Sequence, residues 1–222
     1  MTTNDSAGPA GRETANARDT TRLEAFSDGV FAIAITLLII EIRPPHLADG
    51  EGSPELLQAL LALWPAYLGY LISFLTIGIM WINHHHIFGF IARTDPWLVA
   101  LNTLFLLCVA FIPFPTAVLA EYLGHPGQQV AALAYGGWFT VTAIAYNLLW
   151  RYPTYRRRLI APDVPQASLD EVHRRFNFGP VIYLVATLLA LFNPVLSLGV
   201  QLVLAIVYLI PYRGGGRAPE PA

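Results

Sequence analysis

The chain has 222 residues, of which 55% are hydrophobic and only 13% charged, with a formal net charge of −2 and a mean hydropathy of +0.51. A soluble domain carries about 25% charged residues, so this composition excludes an ordinary soluble globular fold and describes a bundle of apolar helices in a membrane. Every one of the 13 basic residues is Arg; with abundant Ala, Gly and Pro, that usage points to a GC-rich bacterial genome.

Residues 1–20 are rich in Ala, Thr, Asn, Gly and charge without periodicity, and read as a disordered cytoplasmic tail. No short apolar core with a small-residue cleavage site follows a basic start, so they do not form a signal peptide. A spanning helix needs about 20 mostly apolar residues. Candidate spans in chain order are 26–42, 56–82, 97–119, 130–150, 176–192 and 195–212. "IPFPT" (112–116) puts two prolines into the third span, which predicts a kink and freed carbonyls that other helices or water must satisfy. The only cysteine, Cys108, lies in the same span; it can form no intrachain disulfide and packs as a small hydrophobe. The fifth and sixth spans are short and meet at Asn193-Pro194, as a tight helical hairpin or as one re-entrant element. "YRGGGRAPEPA" closes the chain; residues 213–222 read as a flexible cytoplasmic tail.

Arginine placement orients the bundle. With the N-terminus cytoplasmic and six spans, every arginine except Arg43 falls on the cytoplasmic side, a strong positive-inside bias. The expected fold is therefore an all-α integral membrane protein with residues 21–212 forming six transmembrane helices and both termini cytoplasmic. The cluster "RYPTYRRRL" after the fourth span is a topology determinant and a contact for anionic lipid, not a nucleic-acid patch. Its arginines lie outside the spans, so it is not a voltage sensor.

The first span, "RLEAFSDGVFAIAITLLIIEI", carries an acid. On a wheel of about 100° per residue, Gly29, Ile33, Thr36, Leu37 and Ile40 share one stripe. Asp28 falls on roughly the opposite side, with Phe31, Ile35 and Ile42. An unpaired acid inside a bilayer costs on the order of 2.5–3.5 kcal/mol or more, so Asp28 must be hydrogen-bonded, paired or protonated within the protein. The second span ends "WINHHHIF", which places Trp81, Asn83, His84, His85 and His86 at the depth of Asp28 if the two helices run antiparallel. Indole and imidazole N–H groups donate to a carboxylate, and Asn102 of the third span is positioned to join them.

Two further patterns have plainer explanations. "TIGIM" (76–80) faintly echoes the filter of conventional potassium channels, but it sits in a continuous apolar helix without a pore loop; Gly78 is expected to allow close helix approach. The three histidines diverge by about 100° each on a helix, where metal ligands would converge, and no Cys or second His cluster completes a coordination shell. A histidine titrates near neutrality, so one of them is a candidate source of pH sensitivity in the Asp28 network. No nucleophile motif, phosphate-cradling glycine loop or pair of intramembrane acids points to an enzyme or a cofactor.

The first span, followed by "WINHHHIF" and "LNTLFLLCVAFIPFPTAVLAEY", resembles the bacterial branch of the transmembrane protein 175 family, potassium-permeable channels without the conventional filter loop. Its hallmark, Arg, three residues, then Phe-Ser-Asp, is matched by Arg22, Phe26, Ser27 and Asp28. The resemblance covers Arg22 to about Tyr122, and the rest only by span number. It implies a pore lined by the first helix, with Ile33 as the innermost constriction and Leu37 and Ile40 as further layers. Thr36 then matches a hydroxyl position associated with potassium preference. Arg22, Phe26, Ser27 and Asp28, with Trp81, His84, His85 and Asn102, would form a structural knot holding that helix. A second Phe-Ser-Asp is absent; single-repeat members assemble as tetramers, so a homotetramer around a shared axis is implied. The expected partners are further copies of the chain, the lipid bilayer of a bacterial inner membrane and permeant potassium ions. Two other classes remain open: a proton-coupled secondary transporter using Asp28 and the His84–His86 cluster, and a membrane scaffold whose motifs serve only packing.

Overall fold

The computed structural model describes residues 9–50 and 52–209, with side chains from residue 18 onward. Its helices are α1 (Pro9–Leu37), α2 (Ser53–Ala62), α3 (Trp64–Phe88), α4 (Pro96–Phe111), α5 (Pro113–Tyr122), α6 (Gln128–Thr154), α7 (Gln166–Phe176), α8 (Gly179–Leu188) and α9 (Pro194–Leu209). Short 3-10 segments follow α1, α6 and α8. No strand occurs among the described residues; one isolated bridge pairs Ile91 with Ile160.

Among the described residues, three stretches are long and apolar enough to cross a membrane: Arg18–Glu41, Trp64–Phe88 and Pro96–Tyr122. They overlap the first three expected spans. Helix α6 has 27 residues and overlies the fourth. The α8–α9 pair turns at Asn193, whose Oδ1 accepts from the Leu196 N–H at 3.0 Å, and Ser197 Oγ closes the pair by donating to the Ala186 carbonyl at 2.7 Å. The two short helices thus turn back on each other, an arrangement common to the hairpin and the re-entrant element expected here.

Several boundaries differ from expectation. The segment read as an irregular tail is helical from Pro9, continuous with the first span. The second span is two helices, broken at Leu63 ahead of Pro65, and α3 continues through the histidines to Phe88. Between the fourth and fifth spans lies α7, whose Leu169, Val172 and Phe176 are buried while Asp170 and Arg174 face out. Its apolar positions fall at helical spacing (i, i+3, i+7), but polar residues outnumber them, so hydropathy does not mark the segment as a span. Residues 1–8, 210–212 and the expected C-terminal tail lie outside the described residues.

The proline pair behaves as its chemistry requires. Pro113 cannot continue the helical ladder, and the Ile112 N–H bonds the Val109 carbonyl at 3.1 Å instead of reaching back to Cys108. The Cys108 carbonyl so released accepts from Trp138 Nε1 of α6 at 2.8 Å. The same region is tied by a buried relay. Thr116 Oγ1 donates to the Ile112 carbonyl at 2.9 Å, so it accepts from Ser73 Oγ at 2.7 Å. Ser73 in turn accepts from the Tyr135 hydroxyl at 2.9 Å. One chain of hydroxyls thus links α3, α5 and α6 through the middle of the bundle. At the other end of α4, Asp95 caps the helix by accepting from the Leu98 N–H at 2.8 Å and takes the Tyr152 hydroxyl at 2.5 Å. Donation to that carboxylate holds the Tyr152 phenol above its ordinary pKa.

Among the described glycines, the closest approach of a neighbouring helix is at Gly136 of α6. A Cβ there would lie 2.5 Å from Thr187 Oγ1 and 2.9 Å from Gln201 Nε2, both on buried side chains. Overpacking of this kind costs about 1–3 kcal/mol. Gly136→Ala is therefore expected to lower the thermal unfolding midpoint of the detergent-solubilised protein, read by tryptophan fluorescence. Gly137→Ala, where no atom lies within 4 Å, is the matched control and should leave the midpoint in place.

Candidate functional site

Helix α1 rests against α3 and α4 by a single stripe. Ser27, Phe31, Ala34 and Leu38 recur at i, i+4, i+7 and i+11, and all are buried, Phe31 to 2% exposure and Leu38 to 0%. The other side of the helix is exposed in the protomer: Ile33 is 61% exposed and Ile40 66%, and Leu37, Thr36 and Gly29 are exposed with them. The stripe that the wheel gathers on one face is thus the face the protomer leaves uncovered. Beside it Ala25, Gly29, Ala32 and Thr36 form a second exposed row of small residues, a surface along which helices approach closely. That row is legible at helical spacing, although the bulky stripe draws the eye first.

The centre of the buried stripe is Ser27, not Asp28. Asp28 lies at its edge and is itself exposed, a correction of about one residue to the wheel. Its Oδ1 accepts from the Trp81 indole Nε1 at 2.8 Å. The expected imidazole donor goes elsewhere. His84 is buried, and its Nε2 lies 2.8 Å from Asn102 Oδ1. An amide oxygen only accepts, so Nε2 carries the proton. Asn102 Nδ2 then donates to Ser27 Oγ at 2.9 Å, and Ser27 Oγ donates to the Leu23 carbonyl at 2.8 Å. This directed chain joins α3 to α4 and α4 to α1. Phe88 stacks on the His84 ring at 4.2 Å and Phe31 meets its edge at 5.5 Å.

Not every expected knot residue enters this group. Arg22, Phe26 and His85 are exposed and make none of its hydrogen bonds, while His86 packs edge-on against Phe90 at 5.0 Å. The three imidazoles leave α3 in different directions, as their spacing predicts, and no group of three metal-ligand side chains occurs among the described residues. Gly78 also departs from expectation. No atom lies within 4 Å of where its Cβ would be; it leaves open a cleft of about 330 Å³ between α1 and α3, lined by Asp28, Phe31, Ile35, Ile77 and Trp81.

Thr36 is placed on the uncovered face with its proton committed. Its Oγ1 donates back to the Ala32 carbonyl at 2.8 Å, with the Ile33 carbonyl at 3.0 Å. The hydroxyl oxygen therefore offers lone pairs outward, the polarity that a cation or a water donor needs.

The described residues form an all-helical bundle with membrane-length apolar helices and a bulky exposed face on the first of them, which defines the class as a helical membrane protein. The model of the family described as endosomal/lysosomal potassium channel TMEM175 matches residues 22–113. A potassium channel of Chamaesiphon minutus is 48% identical over 192 residues, which is 86% of this chain and 94% of that protein. A potassium channel of Streptomyces collinus is 44% identical over 90% of this chain and 94% of its own length. The fold superposes on the crystal structure of a lysosomal potassium-selective channel TMEM175 homolog from Chamaesiphon minutus with a TM-score of 0.78 and 47% identity, covering 86% of this chain and 96% of that one. The chain belongs to the TMEM175 family, and the family and these relatives are channels, not enzymes.

Proposed function

We propose that the protein is a potassium-permeable channel of a bacterial inner membrane, assembled as a homotetramer with α1 around the central axis. The observation that carries this reading is the division of α1 into a stitched back and a bare apolar front. Ser27, Phe31, Ala34 and Leu38 bind the helix to its own protomer, while Ile33, Leu37 and Ile40 stay exposed. Cyclic assembly would bring four copies of that front together, with the row of small residues packing one copy of α1 against the next. Ile33 sets the narrowest point, Leu37 and Ile40 add layers, and Thr36 supplies the only hydroxyl on this front of α1 between Gly29 and Ile40. A ring of isoleucines closes by dewetting when narrow, and needs no bound cofactor. The six-span count and cytoplasmic termini belong to the same reading and rest on the arginine distribution.

The potassium-channel names of relatives covered over nearly their whole length support the ion. The hydrogen bonds weigh against a transporter that relays protons through Asp28 and the histidines. The Asp28 partner is an indole, which donates but does not accept, and His84 Nε2 is committed to an amide. Purified protein in potassium-loaded liposomes tests the proposal. Expected are a potassium flux and single-channel steps far above carrier turnover; flux only when a proton gradient is supplied would overturn it.

A further inference from the structure

Helix α2 has its hydrophobic side turned away from the protein. Leu56, Leu57, Leu60 and Leu61 share one face on a wheel of about 100° per residue, and Glu55, Gln58 and Ala62 share the other. No residue of α2 is buried. All four leucines are exposed, Leu57 at 59% and Leu61 at 67% the most and Leu56 at 40% and Leu60 at 38% less so, while the half-buried residues here are Ala59 and Leu63. A helix bathed in water would turn that leucine face inward. Here a small residue faces the protein, the acid and amide form a second side, and the leucines form a third.

We infer that α2 lies flat in the membrane interface at one end of α3, its leucines in the outer part of the acyl chains and Glu55 and Gln58 in water. Three observations choose lipid as the occupant. Trp64 and Tyr67 follow immediately and are both exposed, the amphipathic aromatics that collect at the headgroup level. The chain breaks between α2 and α3 at Leu63, where the Leu63 N–H bonds the Leu60 carbonyl at 3.2 Å and Pro65 opens the next helix; the break falls at the end of a 25-residue membrane-length helix. The exposed leucines are followed by Trp64 and by the exposed row Tyr67, Leu71 and Phe74 of α3, so apolar surface runs from the one helix onto the other. The acidic end of α2 is fixed on the water side, where Glu55 Oε2 accepts from the Gly52 N–H at 2.9 Å. These backbone bonds hold the Glu55 carboxyl below its ordinary pKa and keep it charged. With no Lys or Arg in α2, binding is driven by apolar burial and does not require anionic lipid.

The interfacial placement needs α3 to cross the membrane and does not depend on α1 lining a pore. Its test is spin-label accessibility on the full chain, in phosphatidylcholine nanodiscs, in a Cys108→Ala background with single cysteines at positions 57, 61, 55 and 58. Expected at 57 and 61 is collision with oxygen well above collision with a water-soluble nickel chelate, and the reverse at 55 and 58. Equal aqueous access on both sides would overturn the inference in favour of a helix standing clear of the bilayer. Shielding of 57 and 61 from both agents, with dipolar broadening that disappears on dilution with unlabelled chains, would overturn it in favour of a second copy of the chain. Either result leaves the flux measurement, and hence the channel reading, untouched.

Discussion

Replacing Ile33 with Asn raises potassium flux through the reconstituted protein and weakens its discrimination among monovalent cations. The side chain is 61% exposed in the protomer, so the change removes no core contact, and exposed substitutions ordinarily move stability by about 0.5 kcal/mol or less. At the neck of a tetramer the same side chain would meet its own copies, where isoleucine methyls expel water and an ion must shed hydration to pass. An amide ring holds water at that point. Every 1.4 kcal/mol removed from the barrier is about tenfold in rate, so a dewetted neck predicts an increase of about tenfold or more. Leu148→Asn is the control, because Leu148 is likewise exposed but lies on α6, away from α1. Unchanged flux in Ile33→Asn, with normal expression and assembly, would move the constriction elsewhere.

The bare front of α1 is legible in the sequence because helical period alone gathers Gly29, Ile33, Thr36, Leu37 and Ile40. The acid within an apolar helix is equally legible as a group needing a partner, since desolvation forces one. Which partner it takes is not. Trp81, His84 and His85 lie within about one turn of one helix, and only the packed rotation of α3 decides that the indole reaches Asp28 while His84 turns inward to Asn102. The same limit governs Gly78 and Gly136. Both are glycines within apolar helices, yet one borders an open cleft and the other seats Thr187 and Gln201 against the backbone. Proline chemistry, by contrast, is local. The break at Ile112 and the freed Cys108 carbonyl follow from "IPFPT", and the indole of Trp138 supplies the partner that carbonyl requires. Helix α7 is hidden from hydropathy because its amphipathic pattern is that of a soluble helix, set between strongly apolar segments.

The buried chain from His84 to Leu23 carries the second large expectation. Asn102→Leu keeps the branched shape of the side chain and removes both the acceptor for His84 Nε2 and the donor to Ser27 Oγ, at three residues that are each 0 or 1% exposed. A buried donor left without a partner costs about 1–3 kcal/mol, and the second lost bond adds about 1 kcal/mol. The variant should lose about 2–4 kcal/mol, seen as a lower unfolding midpoint and a lower yield of assembled protein, because α1 is released from α4. Adding His84→Phe to Asn102→Leu removes the stranded N–H and keeps an aromatic ring stacked beside Phe88 and Phe105. The double variant should then be more stable than the sum of its single changes predicts, the coupling expected of groups in one network. Asp28→Asn should be mild by comparison. The amide oxygen still accepts from Trp81 Nε1, and the bond lies at the exposed edge of the helix contact. A strong loss in Asp28→Asn with little effect in Asn102→Leu would reverse this order. It would make the carboxylate charge, and not the buried hydrogen-bond chain, the element that holds α1 in place.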